Sequence, residues 1–228
     1  MVYLVGLVPP AVVVWTVHET VRRKRPLSEV PLKPQVSVPH RIAGQFIAPA
    51  VTAFASFALM GFYSSLIPSL LADSLQIDNH AASGAVIFFM FGCGILAIAL
   101  SGALSSRAMM FSGLVLVIPG VVMLVLAQHL ESLVLLLSAS VIGGMSGALG
   151  YCGSLQVINE IAPGGRRAET VSAYMLACYI GVSVPVVGIG VVTELVSAGT
   201  ADVAFAALLC VLALTAIAVG RRLGGNSR

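Results

Sequence analysis

Apolar residues in this chain come in long unbroken runs and do not alternate with polar ones. Seven such runs stand out: Val2–Val17, Phe46–Leu71, Ala81–Ser101, Met109–Ala127, Leu133–Val157, Val171–Val196 and Val203–Gly220. A helix rising about 1.5 Å per residue needs about 17–20 apolar residues to cross the hydrocarbon of a bilayer. Every run meets or approaches that length. The first is the weakest, being short and broken by Pro9-Pro10. The other spanning design, a β-barrel, needs strands of about ten residues with alternating polarity, and these runs do not alternate. The pattern therefore predicts an all-α polytopic membrane protein with about seven transmembrane helices.

The polar interruptions decide how those helices are threaded. The longest is Arg22–Arg41, an irregular stretch carrying Pro26, Pro31, Pro34 and Pro39 and the basic residues Arg22, Arg23, Lys24, Arg25, Lys33 and Arg41. Basic loops resist translocation and stay on the cytoplasmic side. With this loop inside, the other inside surfaces are Gly102–Arg107, Asn159–Thr170 and the tail from Arg221. They hold Arg107, Arg166, Arg167, Arg221, Arg222 and Arg228, so all 12 Lys and Arg fall on one side. The outer surfaces are the amino terminus, Asp73–His80, Gln128–Ser132 and Ala198–Asp202, and they hold none. The expected topology has the amino terminus outside and the carboxy terminus cytoplasmic, in an inner or plasma membrane. Its parts are an orphan helix (1–21), a basic cytoplasmic loop (22–41), a six-helix bundle (42–220) and a cytoplasmic tail (221–228).

Composition agrees. The chain is 58% hydrophobic and 9% charged, with a mean hydropathy of +1.03, whereas soluble domains carry about 25% charged residues. The net charge of +3 sits in short loops and not on one folded face, so it points to topology and lipid headgroups, not nucleic acid. Cys93, Cys152, Cys178 and Cys210 all lie inside apolar runs without CxxC spacing. They read as small packing residues, with neither a disulfide framework nor a metal site expected. The first run lacks the basic start and small-residue cleavage pattern of a removable leader.

Polar side chains are spread unevenly. The fourth run has Ser112 as its one hydroxyl and the seventh has Thr215. The second holds Thr52, Ser56, Tyr63, Ser64 and Ser65; the fifth holds Ser138, Ser140, Ser146, Tyr151, Ser154 and Gln156; the sixth holds Ser172, Tyr174, Tyr179 and Ser183. In hydrocarbon such groups turn to protein or to a water-filled cavity. The second, fifth and sixth runs are thus expected to line an interior, and the fourth and seventh to face lipid. Runs two to four and five to seven form two triplets of opposite orientation, an inverted three-plus-three repeat of the kind common in secondary transporters.

Three stretches could carry function. In the fifth run Gly143, Gly147 and Gly150 recur at helical spacing beside Ser146. Bare backbone there lets a neighbouring helix come close, or lets it slide while Tyr151, Ser154 and Gln156 reach a substrate. In the sixth, Pro185 lacks a backbone donor and should kink the helix. Gly181, Gly188 and Gly190 flank it, which suits either tight packing or a bending point. In the second, Ser56, Met60, Tyr63 and Ile67 share a helical face. Tyr63 there reads equally as a substrate contact and as an interfacial aromatic.

Enzyme chemistry is disfavoured. Gly144-Met145-Ser146-Gly147 fits the GxSG of an intramembrane serine protease, but that reaction needs a base near the serine. None of His18, His40, His80 and His129 lies deep in a run. Glu160, Glu169, Glu194 and Asp202 sit at the ends of runs, so no ion-coupling carboxylate is evident.

The sequence resembles the major facilitator superfamily, namely its sixth helix, central loop and carboxy-terminal six-helix half. Gly102-Ala-Leu-Ser-Ser-Arg107 is similar to the family's G-x-L-x-D-R loop, with Ser106 in place of the acid. Ala162-Pro163-Gly-Gly-Arg166-Arg167-Ala-Glu169, followed by Ser172 and Tyr174, resembles the start of the family's eleventh helix. The resemblance implies that the first, second, fourth and fifth helices of the half flank a translocation path, and that the third and sixth face lipid. It also implies a second half, because members have two related by an axis along the membrane normal. The expected function is transmembrane transport of a small, organic solute by a secondary permease, with efflux as one direction it could take, in alternating access with a separate half or a second copy. No cofactor is expected. The competing expectation is a non-transporting remnant or a membrane assembly partner.

Overall fold

The computed structural model describes residues 9, 12, 13, 15, 16, 36–74, 79–195 and 198–225, with backbone alone at 73, 74, 80, 185, 189, 192–195, 198, 201 and 219–225. Met1–Pro34 and Gln35–Arg228 form separate units. In the first unit the backbone is helical at the described positions, and Trp15 is exposed. The rest of the expected first helix and the basic loop as far as residue 35 lie outside the described residues, as does the tail beyond 225.

The second unit is a bundle of six long helices: α1 (Ala43–Ser69), α2 (His80–Leu100), α3 (Ser106–His129), α4 (Leu133–Ile161), α5 (Arg167–Leu195) and α6 (Ala198–Gly225). No strand occurs among the described residues. Polar residues set the starts. The Asn79 side chain accepts from Ala81 N, Ser105 from Ala108 N and Ser132 from Leu135 N, meeting backbone donors that a helix start leaves unpaired. Glu169 lies in the first turn of α5, where the helix dipole favours an anion. Pro163 follows the end of α4 and stops it. Past Pro68, α1 widens into a π-helical stretch at Leu70–Ser74.

Five helical stretches among the described residues are long and apolar enough to cross a membrane, and α6 adds a shorter apolar stretch, Asp202–Ala218. Not all of the main neighbours in space are neighbours in sequence. α3 packs along α4 more extensively than any other pair. α2 then lies on α4, and α5 on α1. Exchanging α1, α2 and α3 for α4, α5 and α6 maps the α2–α4 contact onto the α5–α1 contact, as an inverted triplet repeat requires. α3 breaks the symmetry, because its hold on α4 far exceeds that of α6 on α1.

The core joins α1, α3 and α6. Phe62, Leu66, Ile67 and Leu70 meet Leu114, Val117, Val121 and Leu124, with Phe205, Leu209 and Ala213 closing the third side. Phe62 and Phe205 have ring centroids 4.8 Å apart.

One expectation is corrected here. The fourth run, read as lipid-facing, is α3, and 44% of its apolar window is buried, close to the 50% of α4. Its buried stripe includes Met110, Gly113, Leu114, Val117, Gly120, Val121 and Leu124. The outward helices are α2 and α5, at 22% and 18%. Hydroxyl content misled because α3 packs through glycine and aliphatic surface, which needs no polar group.

Candidate functional site

The glycine row of α4 is where α1 docks. A Cβ on Gly143 would lie 2.8 Å from the Tyr63 ring, and one on Gly147 would lie 2.7 Å from Met60 Cε. One on Gly150 would run into Ser56 Oγ. The three side chains expected along the substrate path in α1 therefore each occupy one glycine notch of α4, in antiparallel register. Tyr63 is fully buried, and its hydroxyl donates to the carbonyls of Ala139 (2.6 Å) and Gly120 (3.3 Å). Ser146, also buried, donates to the Gly113 carbonyl at 2.8 Å and so clasps α3. Glycine serves three sides of α4: besides the notches for α1, Gly144 meets the Met90 carbonyl of α2, and Gly153 the backbone of Met110 in α3. Ser56, Tyr63, Ser146 and Gly150 are thus interhelical contacts in this arrangement.

A second group lies on the α1–α4–α5 side. Tyr174 is buried; its hydroxyl pairs with Ser154 Oγ at 2.7 Å and donates to the Tyr151 carbonyl at 3.2 Å. Tyr151 stacks on Tyr174 with centroids 6.4 Å apart and meets Phe57 edge-on at 5.4 Å. Tyr151 itself is half-buried, and no hydrogen bond to its hydroxyl occurs among the described residues. Met60 is likewise half-buried, while Gln156 and Tyr179 are exposed, Tyr179 at 65%. The expected path residues therefore divide. Ser56, Tyr63, Ser146, Gly150, Ser154 and Tyr174 are enclosed by protein; Met60, Tyr151, Gln156 and Tyr179 can be reached from outside the bundle.

The flexible points divide as well. A Cβ on Gly181 would stand 2.6 Å from the Phe54 carbonyl, so this glycine seats α5 on α1. Gly188 has open space around it. The backbone of α5 is helical through position 185, while the Pro185 side chain, on which the bending reading depends, lies outside the described residues.

At the end carrying the expected cytoplasmic loops, Arg107, Arg166 and Arg167 are exposed. Arg167 Nε and Nη2 both donate to Asn159 Oδ1, at 3.1 and 3.0 Å. Ser106, standing where the resembled loop has an acid, donates to Glu160 Oε1 at 2.5 Å. Ser37 donates to Glu169 Oε2 at 2.6 Å and ties the approach to α1 onto α5. Sequence reading placed Glu160 and Glu169 at helix ends but assigned them no partner. Helix order brings those ends together, and that order was the available signal. The four cysteines are free, and among the described residues no group of three His, Cys, Asp or Glu could hold a metal ion.

A bundle of long apolar helices with glycine-mediated contacts and interleaved triplets narrows the choice of family, and sequence comparison decides it. The profile of the Major Facilitator Superfamily matches residues 1–186. The chain belongs to this superfamily. No curated protein matches it. Major facilitator proteins are secondary transporters, so membership sets membrane transport of a small molecule as the activity class and the lipid bilayer as the surroundings.

Proposed function

We propose that this major facilitator chain forms one half of a permease for a small organic solute. The path would run past Met60, Tyr151, Gln156 and Tyr179, and the second half would close its other side. The observation that carries this reading is the set of polar side chains left exposed within apolar helices. Gln156 of α4 and Tyr179 and Ser183 of α5 are exposed, yet lipid offers them no hydrogen bonds, so they call for water or protein. Tyr151 adds a half-buried ring with an uncommitted hydroxyl, suited to a solute with an apolar body and a polar handle. In the same reading the end bearing Arg107, Arg166 and Arg167 is cytoplasmic, in keeping with the bias of basic residues, and the membrane is the cell membrane.

The test is water accessibility in the full chain. Single cysteines are placed at 151, 156 and 179, and at 56, 63 and 146, in a background whose four native cysteines are serine. They are treated in membranes with an impermeant thiol reagent, which reacts where water reaches. Positions 151, 156 and 179 are expected to label; 56, 63 and 146 are expected to stay protected. If none of the first three labels, no water path runs along this side of the half and the reading falls.

A further inference from the structure

The opposite end of the bundle holds a pair that plays no part in the proposed path. Asp202 is the fifth residue of α6 and stands at the very edge of its apolar stretch. Its side chain is only 5% exposed. Gln128, in the last turn of α3, donates from Nε2 to Asp202 Oδ2 at 2.8 Å. The other atom of that amide, Gln128 Oε1, is buried and has no hydrogen-bond partner. A buried acceptor without a donor is unfavourable. Turning the amide over does not help: it would set Oε1 against the carboxylate and strand the NH2 instead. A carboxylate and a carboxamide together offer only one kind of donor, whereas a carboxylic acid and a carboxamide offer two and can satisfy each other.

We propose that Asp202 and Gln128 form a proton-binding site that fastens α6 to α3. The ligand is a proton on the Asp202 carboxyl. The neutral acid donates to Gln128 Oε1 while Gln128 Nε2 donates back to the acid. The surroundings suit it. The side chains of α1 at this end, Leu66, Ile67, Leu70 and Leu71, are apolar and buried. From α3 the titratable group bearing on the site is His129, whose Nδ1 donates to the Val125 carbonyl at 3.0 Å. Glu131, in the turn that follows, is exposed. Burial raises the Asp202 carboxyl above its ordinary value, against smaller lowering effects of the Gln128 bond and of His129.

The sign follows from linkage. A folded-state value above the unfolded one means that the folded chain holds the proton more tightly. The stability it contributes is fully present below the ordinary aspartate value and is lost as pH rises through the raised one. Asp202→Asn replaces the acid by an amide that can make the same two bonds with Gln128 at any pH.

The experiment uses the full chain in lipid vesicles. In wild type, the infrared band of a protonated carboxyl is expected to include a component that persists to higher pH than an ordinary aspartate allows, and this component is expected to be lost in Asp202→Asn. The folding equilibrium of wild type is expected to weaken relative to Asp202→Asn by up to roughly tenfold per pH unit across the titration. Absence of that component from wild type overturns the proposal without reference to any variant. So does its survival in Asp202→Asn, or an identical pH dependence of the two proteins. If Asp202→Asn does not fold, Gln128→Leu decides. The component must then move to the position of a carboxyl without a hydrogen bond, and an unmoved component sinks the pair.

Discussion

Single atoms settle most of the packing around α4. A methyl group on Gly144 would collide with the backbone carbonyl of Met90, and backbone cannot step aside as a flexible side chain can. A methyl on Gly92, also on α2's side of the bundle, meets nothing within 4 Å. Both changes give the helix a residue of better intrinsic propensity, worth about 1 kcal/mol. At Gly144 that gain is offset by separating two helices that touch through bare backbone, and overpacking of this kind costs about 1–3 kcal/mol or more. Gly144→Ala should therefore lower the thermal midpoint of the purified chain and its yield in membranes, while Gly92→Ala should leave both unchanged or slightly raised. Equal behaviour of the two variants in a melting series would contradict the contact. The α4 glycines were legible in the sequence as a row. The notch each one provides was not, because spacing shows that Gly143, Gly147 and Gly150 share a face but not that Tyr63, Met60 and Ser56 fill it.

At the level of helices, the outward position of α2 has a direct consequence. Phe88, Ile95 and Leu100 are 81%, 67% and 85% exposed, whereas Val117, Val121 and Leu124 of α3 are fully buried. The exposed face of α2 is aliphatic and aromatic through its middle, so lipid can cover it without stranding polar groups. A nitroxide on a cysteine at 88 or 95 should collide freely with lipid-dissolved oxygen, and one at 115 of α3, where the side chain points away from the buried stripe, should do so too. A label at 121 should not. Slow collision at 88 and 95 together with fast collision at 121 would return α3 to the outward role that its lack of hydroxyls suggested. The helices themselves were readable from the runs: α2 begins at His80 against an expected Ala81, and α4 at Leu133 as expected. α2 ends at Leu100 against an expected Ser101, while α4 runs a few residues further than expected, to Ile161, because a helix continues past the hydrocarbon until a proline or a capping residue stops it. Facing was harder to read. Polarity identifies interior helices when they pack through hydroxyls, and it is blind to α3, which packs through Gly113 and Gly120. It also marked Tyr63 as a path residue, although that hydroxyl is spent on the carbonyls of Ala139 and Gly120.

For the molecule as a whole, the uneven covering of the bundle bears on the proposed partner half. α1, α3 and α4 are each buried along about half of their apolar length, and α5 along 18%. Unlike α2, α5 carries hydroxyls on its exposed side, at Ser172, Tyr179 and Ser183, which recur at helical spacing. Lipid satisfies the face of α2 but not this one. In a family whose members work as two halves, the second six-helix half proposed above, with a water-filled path between, would meet this need. That half could be further sequence in the same polypeptide, a separate chain or another copy of this one, and mass separates the three. The chain is tagged at its carboxy terminus in its native membrane, extracted gently and compared with a recombinant 228-residue copy of 23.5 kDa. A denatured band about twice that mass means that both halves share one polypeptide. A band of equal mass that extracts as a larger complex means a separate half or a homodimer, and cysteines at 179 or 183 should then cross-link to it. A band of equal mass that extracts alone, with 179 shielded from water, would leave the hydroxyls of α5 facing lipid and remove the physical reason for a transport path in this half.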